Sequence, residues 1–251
     1  MDKPITIQYI YNSSYTIDIQ DYFIVIDYFR GDLVLPPNKQ ILFIVTHSHA
    51  DHYSPEIFTY PGAEKALYLL SDDVEALETV DNVTVLSQSI KETETRKMAY
   101  DPERVKRVGP NERFEFAGIH FRSFGSTDRG ISILMEIDGI SIFHSGDLHA
   151  WKWPSSTEEV QEKEVKDFLT ELDKIKNFPI DIGFGLVDPR LEENAFVGPD
   201  LYLEILKPQI FIPLHFRENF EITRAFADRH SDNPDSRVQA IRAEQDRIII
   251  R

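Results

Sequence analysis

The sequence predicts an α/β protein in which two similar halves pack sheet to sheet, with helices on the outer faces. Runs rich in β-branched and aromatic residues fall into two blocks, near residues 5–27 and 113–144. Each block is followed by apolar runs that alternate with helical patterns, which favours mixed sheets with helices. We therefore expect one domain over residues 1–251, an αβ/βα four-layer sandwich with halves of roughly 1–110 and 111–251.

The first half opens with three short strands and continues with strand-helix units. "ITIQYI", "SYTIDI" and "YFIVID" are separated by polar turns and predict an antiparallel meander. "ILFIV" is an unbroken apolar run, typical of a strand that is buried on both faces. Ser54-Pro55-Glu56 predicts a capped short helix. "ALYLLS" and "VTVLS" predict strands around a helical "SDDVEALE", and the polar residues 88–110 predict a surface crossover.

The second half repeats this order. "RFEF", "IHFRSF", "GISILMEI" and "ISIFH" predict four strands, with turns at Gly118 and at Asp138-Gly139. Residues 155–177 place apolar side chains at helical intervals and stop before Pro179, which predicts a long helix. "IDIGFG" and "IFIPLHF" predict buried strands, and "PDLYLEILKP" predicts the helix between them.

Composition excludes several functional classes. There are 27 basic and 43 acidic residues, a formal charge of −16, so we expect the protein to repel nucleic acid and anionic lipid. The absence of cysteine excludes disulfides and thiolate metal sites, so any metal must be held by nitrogen and oxygen. No signal peptide or apolar membrane span is visible, and we expect a cytoplasmic protein without a membrane partner.

A histidine cluster follows the predicted core strand "ILFIV". In "VTHSHADH", His47, His49, Asp51 and His52 form the pattern H-x-H-x-D-H. Imidazole and carboxylate ligands suit zinc, manganese or iron, and alternate residues of a tight loop can face two ions. The pattern predicts a metal site.

Two later residues also follow predicted core strands. Asp147 comes after "ISIFHSG", and His215 comes after "IFIPL". Ligands at one end of a sheet converge on one cleft, so these side chains are expected to join the histidine cluster.

These motifs resemble the metallo-β-lactamase superfamily of metal-dependent hydrolases over nearly the full length. "THSHADH", "FHSGDLH" and "IPLHF" are similar to its histidine-rich segment, its bridging-aspartate segment and its final histidine. The similarity is closest to the bacterial branch that includes the ascorbate-phosphate lactonase type. The resemblance implies the αβ/βα sandwich fold and a supporting role for Asp27, which would hold the histidine loop by hydrogen bonds.

The resemblance also implies two divalent ions, with zinc favoured and manganese or iron as alternatives. His47 and His49 would bind the first ion, Asp51, His52 and His215 the second, and Asp147 would bridge them. The family usually adds a third first-site histidine, but Thr127 stands at the expected place in "FGSTDRGIS". Asp128 or water could complete the site, His149 could swing in, or the first site could be weak and incomplete.

The predicted chemistry is hydrolysis of a small ester, lactone, amide or phosphoester by hydroxide that the ions generate. Asp51 is the expected catalytic proton acceptor. For substrate binding, Arg190 could receive an anionic group or pair with a neighbouring acid, and Trp151 with Trp153 could form an apolar wall or simply pack. His144 and His149 are candidates for supporting partners or proton carriers. The alternatives are a phosphodiesterase or nuclease of the same fold, and an inactive metal-binding or sensing protein.

Overall fold

The fold is known from a computed structural model that describes residues 4–74, 77–80, 83–86 and 102–251. Strands and helices are numbered β1 to β16 and α1 to α3 in chain order. Most strands belong to two sheets of seven strands each. A separate hairpin is formed by β6 (Leu77–Val80) and β7 (Val83–Leu86).

The first sheet contains the N-terminal strands together with the last strand of the chain. Its members are β1 (Ile5–Tyr11), β2 (Ser14–Ile19), β3 (Tyr22–Ile26), β4 (Gln40–Val45), β5 (Leu67–Ser71), β8 (Val105–Val108) and β16 (Arg247–Ile250). Their order across the sheet is β16-β1-β2-β3-β4-β5-β8. Pairing is antiparallel from β16 to β3 and parallel from β3 to β8. The predicted meander of β1 to β3 is present.

The second sheet has the same plan. Its members are β9 (Arg113–Phe116), β10 (Ile119–Phe124), β11 (Ser132–Ile137), β12 (Ile140–His144), β13 (Ile182–Leu186), β14 (Ile210–Leu214) and β15 (Arg237–Val238), in the order β15-β14-β13-β12-β11-β10-β9. Pairing is antiparallel from β9 to β12 and parallel from β12 to β15. Asp138 and Gly139 both have positive φ, as the predicted two-residue hairpin turn requires.

The main core lies between the two sheets. Strand β4 shows the arrangement, because Leu42 and Ile44 pack into this core while Ile41, Phe43 and Val45 pack on the opposite face. Both faces of β4 are therefore buried, as its unbroken apolar sequence predicts.

Three α-helices cover the outer face of the second sheet. They are α1 (Glu158–Ile175), α2 (Val197–Leu206) and α3 (Phe220–Arg229), and they bury Phe168, Tyr202 and Phe226 against that sheet. Thr157 caps α1 by accepting a hydrogen bond from the amide of Val160. None of the helices in the described ranges combines the length and the apolar character that a membrane span requires.

Short 3-10 helices make several connections. They span Pro55–Phe58, Pro102–Arg104 and Pro189–Asn194. The first is the helix predicted after Ser54, whose side chain accepts a hydrogen bond from the amide of Glu56. The two mixed sheets with their helices confirm the predicted αβ/βα sandwich class.

Two local predictions in the first half are wrong. The helix expected over residues 71–78 does not form, because Ser71 ends β5, residues 72–74 form a turn and β6 begins at Leu77; residues 75 and 76 lie outside the described ranges. The turn is favoured by tertiary bonds: the amide of Asp72 donates to Val108 O, and Asp73 accepts from Ser48. The crossover expected over residues 88–110 contains the edge strand β8, while residues 88–101 are not described.

Candidate metal centre

Five polar side chains follow parallel strands and meet at one edge of the two sheets. In the first half, Asp27 follows β3 and His47 follows β4. In the second half, Asp147, Asp188 and His215 follow β12, β13 and β14. Because the carboxyl ends of parallel strands face the same edge, the fold gathers these groups into one cluster.

Asp147 lies at the centre of the cluster and faces two groups of side chains. Its Oδ2 lies 3.5 Å from His47 Nε2. Its other oxygen, Oδ1, lies 3.2 Å from His52 Nε2 and 3.7 Å from His215 Nε2. The two oxygens of one buried carboxylate therefore point to two neighbouring sets of nitrogen atoms.

The first set contains His47, His49 and Asp128. His47 Nε2 and His49 Nδ1 lie 3.1 Å apart, and His49 Nδ1 lies 3.7 Å from Asp128 Oδ2. The ligand atoms of His49, Asp128 and Asp147 are all within 4.8 Å of one another, as ligands of one ion would be.

The second set contains Asp51, His52 and His215, whose ligand atoms also lie within 4.8 Å of one another. His215 Nε2 is 3.5 Å from Asp51 Oδ2. Asn12 Nδ2 donates a hydrogen bond of 3.2 Å to the same oxygen and so fixes the position of this carboxylate. All six residues predicted as ligands are thus brought together.

Hydrogen bonds at the far side of each ring orient three of the imidazoles. His52 Nδ1 lies 2.9 Å from Asp27 Oδ2, and His215 Nδ1 lies 3.0 Å from Asp188 Oδ2. Arg190 also lies 3.2 Å from His215 Nδ1, but it can only donate, and Asp188 accepts from both groups. A carboxylate partner holds the proton on Nδ1, so an ion that displaces the Nε2 proton would meet the Nε2 lone pair directed into the cluster.

Thr46 continues the same arrangement at His47. Its hydroxyl donates to Asp27 Oδ2 at 2.8 Å, so it can accept from His47 Nδ1, which lies 3.1 Å away. Asp27 also accepts from the amide of Thr46. This single buried carboxylate therefore supports both ends of the histidine loop, which is the role that the resemblance implied for it.

The donor set fits divalent metal ions. His52 Nε2 and Asp147 Oδ1 are buried and make no hydrogen bond within the described residues, although they lie 3.2 Å apart. A buried polar atom that makes no hydrogen bond carries a free-energy cost, which an ion bound to both atoms would remove. Imidazole nitrogen and carboxylate oxygen are ligands of zinc, manganese and iron.

Burial and close charges shift the pKa values of the cluster. Burial opposes ionisation of Asp147, but His52 and His215 hold the pKa of this carboxyl well below its usual range. Burial would lower the pKa of His52, yet Asp147 and Asp27 raise it well above its ordinary value. Burial and the charge of His52 lower the pKa of His47 to about 4. The cluster is therefore a set of ionised carboxylates among imidazoles.

An open cleft of about 350 Å³ gives access to the centre. Its walls include the predicted residues Trp151 and Arg190, together with Trp153 and Glu164. The two indole rings stack 5.7 Å apart with an angle of 7° between their planes. Arg190 pairs with Asp188, with Nη2 2.5 Å from Oδ2, and also lines the cleft, while its binding of an anionic group stays a prediction.

Two of the alternatives for completing the first site can now be compared. The ring of His149 packs against Trp151, Phe168 and Gly198, and His149 belongs to none of the groups suited to a metal in the part of the chain that the structure describes. Thr127 is engaged with the backbone of His149, to which its hydroxyl donates at 2.7 Å and from which it accepts at 2.9 Å. Asp128, in contrast, faces His49.

The remaining candidate, His144, is buried behind the loop of Asp147. Its Nδ1 accepts a hydrogen bond of 3.1 Å from the amide of Gly146 and so shapes the turn that carries this aspartate. It belongs to none of the groups suited to a metal among the described residues. The structure thus places His144 against the turn that carries Asp147, and its role as a proton carrier stays a prediction.

Four residues of the site were not predicted from the sequence. Asp188 follows β13 just as Asp147 follows β12, and this shared placement could have identified it. Asn12 and Asp73 were interpreted only as parts of a turn and a helix, yet they bond to Asp51 and Ser48. Glu164 lies on α1, and no sequence signal connects it with the cleft.

Comparison with known proteins agrees with this geometry. Residues 6–170, more than half of the chain, match the family model described as "Beta-lactamase superfamily domain". A search of curated proteins finds no match.

Solved structures show the same fold at low identity. A metallo hydrolase from the archaeon Ignicoccus hospitalis KIN4/I matches with a TM-score of 0.64 and 13% identity, over 99% of each chain. The metallo-β-lactamase fold protein YhfI from Bacillus subtilis has a TM-score of 0.58 and 8% identity, with 98% of this chain and 100% of that chain covered. CmlA, a diiron β-hydroxylase from Streptomyces venezuelae, has a TM-score of 0.56 and 11% identity, with 100% of this chain and 55% of that chain covered.

Proposed function

The chain belongs to the metallo-β-lactamase superfamily, and we propose that it is a metal-dependent hydrolase of a small ester, lactone, amide or phosphoester. One observation carries the proposal: the two oxygens of the buried Asp147 face two adjoining sets of ligand atoms. This arrangement suits two ions that share a bridging carboxylate. The closer resemblance to the ascorbate-phosphate lactonase type stays a prediction.

The proposed ligands divide between two ions. His47 and His49 would hold the first ion, Asp51, His52 and His215 the second, and Asp147 both. Divalent ions held in this way supply Lewis-acid chemistry, which polarises water and substrate oxygen atoms near neutral pH. The nitrogen and oxygen ligands are compatible with zinc, and also with manganese or iron.

The chain's own residues would handle the proton and the substrate. Asp51 lines the cleft, and the neighbouring imidazoles of His215, whose Nε2 lies 3.5 Å from Oδ2, and of His52 hold the pKa of its carboxyl well below the usual range, so it is ionised at neutral pH. It would accept a proton from the attacking water and return it to the leaving group. Arg190 would orient an anionic group, and Trp151 would exclude water on an apolar wall.

The first test combines metal analysis with a substrate panel. The purified protein is loaded with zinc, manganese or iron(II), and hydrolysis of chromogenic esters, lactones, amides and phosphodiesters is measured. His52→Ala and Asp147→Asn should lose bound metal and lower the rate by at least about 100-fold, because both remove ligands near the reacting groups. The exposed His120 is the matched control, so His120→Ala should keep both properties.

Two outcomes would contradict the proposal. A metal-loaded wild-type protein that hydrolyses none of the substrates would indicate a binding or sensing protein. A rate that His52→Ala and Asp147→Asn leave unchanged would show that hydrolysis occurs elsewhere.

A further inference from the structure

The loop that carries Asp128 is fixed against the histidine loop by backbone contacts. The amide of Ile131 donates a hydrogen bond of 3.0 Å to Thr46 O, directly beside His47. Gly130 lies so close to this strand end that an added Cβ would be 2.6 Å from His47 Cβ. Backbone packing against the end of β4 therefore holds residues 126–131 close to the cluster.

Within this loop, the neighbouring residue Thr127 is held away from the centre. Its hydroxyl donates to His149 O and accepts from His149 N, so both contacts tie it to the backbone beyond Asp147. The amide of Asp128 donates to Ser126 Oγ at 3.2 Å, which stabilises a turn at this point. The turn leaves the Asp128 carboxylate next to His49.

The Asp128 carboxylate lies beside His49, which is a predicted metal ligand. Its Oδ2 lies 3.7 Å from His49 Nδ1, and no lysine or arginine among the described residues lies within ion-pair distance of it. Two ligands bound about 2.0–2.2 Å from one ion are themselves about 3–4 Å apart. The observed separation falls in that interval, and His47 Nε2 lies 3.1 Å from the same nitrogen of His49.

We propose that Asp128 is a ligand of the first ion and occupies the place that a third imidazole would take. The first ion would then bind to two histidines and two carboxylates: His47, His49, Asp128 and Asp147. Carboxylate oxygen suits manganese, two histidines with a carboxylate suit iron(II), and imidazole suits zinc. The affinity of this site for zinc relative to manganese is therefore lower than it would be with three imidazoles.

This inference rests on the metal centre of the proposed function, but it does not depend on hydrolysis. It is tested on the metal-free protein by competition with a chromophoric chelator, using zinc and manganese separately, and by elemental analysis. Asp128→Ala should lower the affinity for the first ion by at least about 100-fold. Loss of a residue that only hydrogen-bonds to a ligand already lowers metal affinity about 10–100-fold. The second ion should keep its affinity, so one ion per chain should remain after dialysis.

Asp128→His places an imidazole at this position. The variant distinguishes a metal ligand from a carboxylate that has only a structural role. Its first site should bind zinc again, and the ratio of zinc to manganese affinity should rise at least tenfold over wild type. The matched control is Asp173→Asn, which changes an exposed aspartate of α1 that pairs with Lys176 away from the cleft and should alter neither stoichiometry nor the ratio.

Each result decides between the inference and the function it rests on. If Asp128→Ala retains two ions with wild-type affinities, or Asp128→His leaves the ratio unchanged, Asp128 is not a ligand, while the proposed hydrolase stands. If the wild-type protein binds no divalent ion, both proposals fail.

Discussion

At the scale of residues, each half of the molecule orients one histidine by a buried aspartate. Asp27 holds Nδ1 of His52 in the first half, and Asp188 holds Nδ1 of His215 in the second. Burial would raise the pKa of Asp188, but hydrogen bonds from His215 and Arg190 hold it well below the usual range. The partner is therefore a full negative charge, which increases the basicity of the ring.

This pairing predicts the effect of Asp188→Asn. The amide carries no charge and can present its own N–H to His215, so the ring loses both its preferred tautomer and its electrostatic support. We expect the affinity for the second ion to fall about 10–100-fold. The measurement is zinc competition with a chelator on the metal-free protein.

Asp181→Asn provides the matched control at the other end of the same strand. Asp181 precedes β13 and accepts hydrogen bonds from the amide and hydroxyl of Ser141. Its replacement should change stability without changing metal affinity. Equal affinity in wild type and Asp188→Asn would contradict the positioning role.

At the scale of elements, local sequence predicted what local interactions determine. The strands of both meanders, helices α1 and α2 and the Asp138-Gly139 turn follow from periodicity and turn chemistry. Strands β8 and β16 were not predicted, because they pair with β5 and β1, which are distant in sequence. The wrong helix at residues 71–78 has the same cause, since Asp72 and Asp73 bond to distant groups.

The candidate site divides in a similar way. His47, His49, Asp51 and His52 occur in one short motif, and Asp147 and His215 share the position just after a core strand. Asn12 and Glu164 carry no such signal. Their contacts arise only when β1 and α1 are placed beside the cleft, which depends on the packing of the whole chain.

The close contact of Gly130 with Thr46 and His47 predicts that alanine substitution affects two glycines with positive φ differently. At Gly130, an added Cβ would lie 2.1 Å from Thr46 O, whereas at Gly139 it would meet nothing within 4 Å. Gly139→Ala should therefore cost only the left-handed strain of about 1–2 kcal/mol. Gly130→Ala should lower the free energy of unfolding by more than this. It should also lower the affinity for the first ion, because His47 must move.

Urea unfolding and metal competition on both variants measure these two effects. Gly139→Ala should retain wild-type metal affinity, since its hairpin is a turn between β11 and β12 without contact to the ligands. The interpretation of the Gly130 contact would be wrong if both variants lost equal stability and bound metal alike.

At the scale of the whole molecule, the cluster concentrates ionisable groups in the interior of an acidic protein. The chain has a formal charge of −16, and Asp27, Asp147 and Asp188 are buried at one edge of its sheets. Buried ion pairs contribute little net stability, because desolvation offsets their attraction. Their presence here is consistent with a functional centre whose ions would neutralise part of this charge.

Buried neutral histidines add a dependence of stability on pH, and His144 allows it to be measured. Burial, together with the nearby charge of His52, lowers its pKa to about 4, although Asp27 acts in the opposite direction. In the unfolded chain the pKa of a histidine is about 6.5. Between these values the unfolded chain binds more protons than the folded one, so this histidine reduces stability as pH falls from about 6.5 to about 4.

The predicted result is a difference between wild type and His144→Asn that changes with pH. The asparagine oxygen can still accept from the amide of Gly146, as Nδ1 does in the wild type. On going from pH 7.5 to pH 5, the free energy of unfolding of the metal-free wild type should fall by about 2 kcal/mol more than that of His144→Asn. Urea titrations at both pH values give this quantity, and His120→Asn on the exposed surface should follow the wild type. Parallel pH dependences of wild type and His144→Asn would show that His144 takes up its proton as readily in the folded protein as in the unfolded chain.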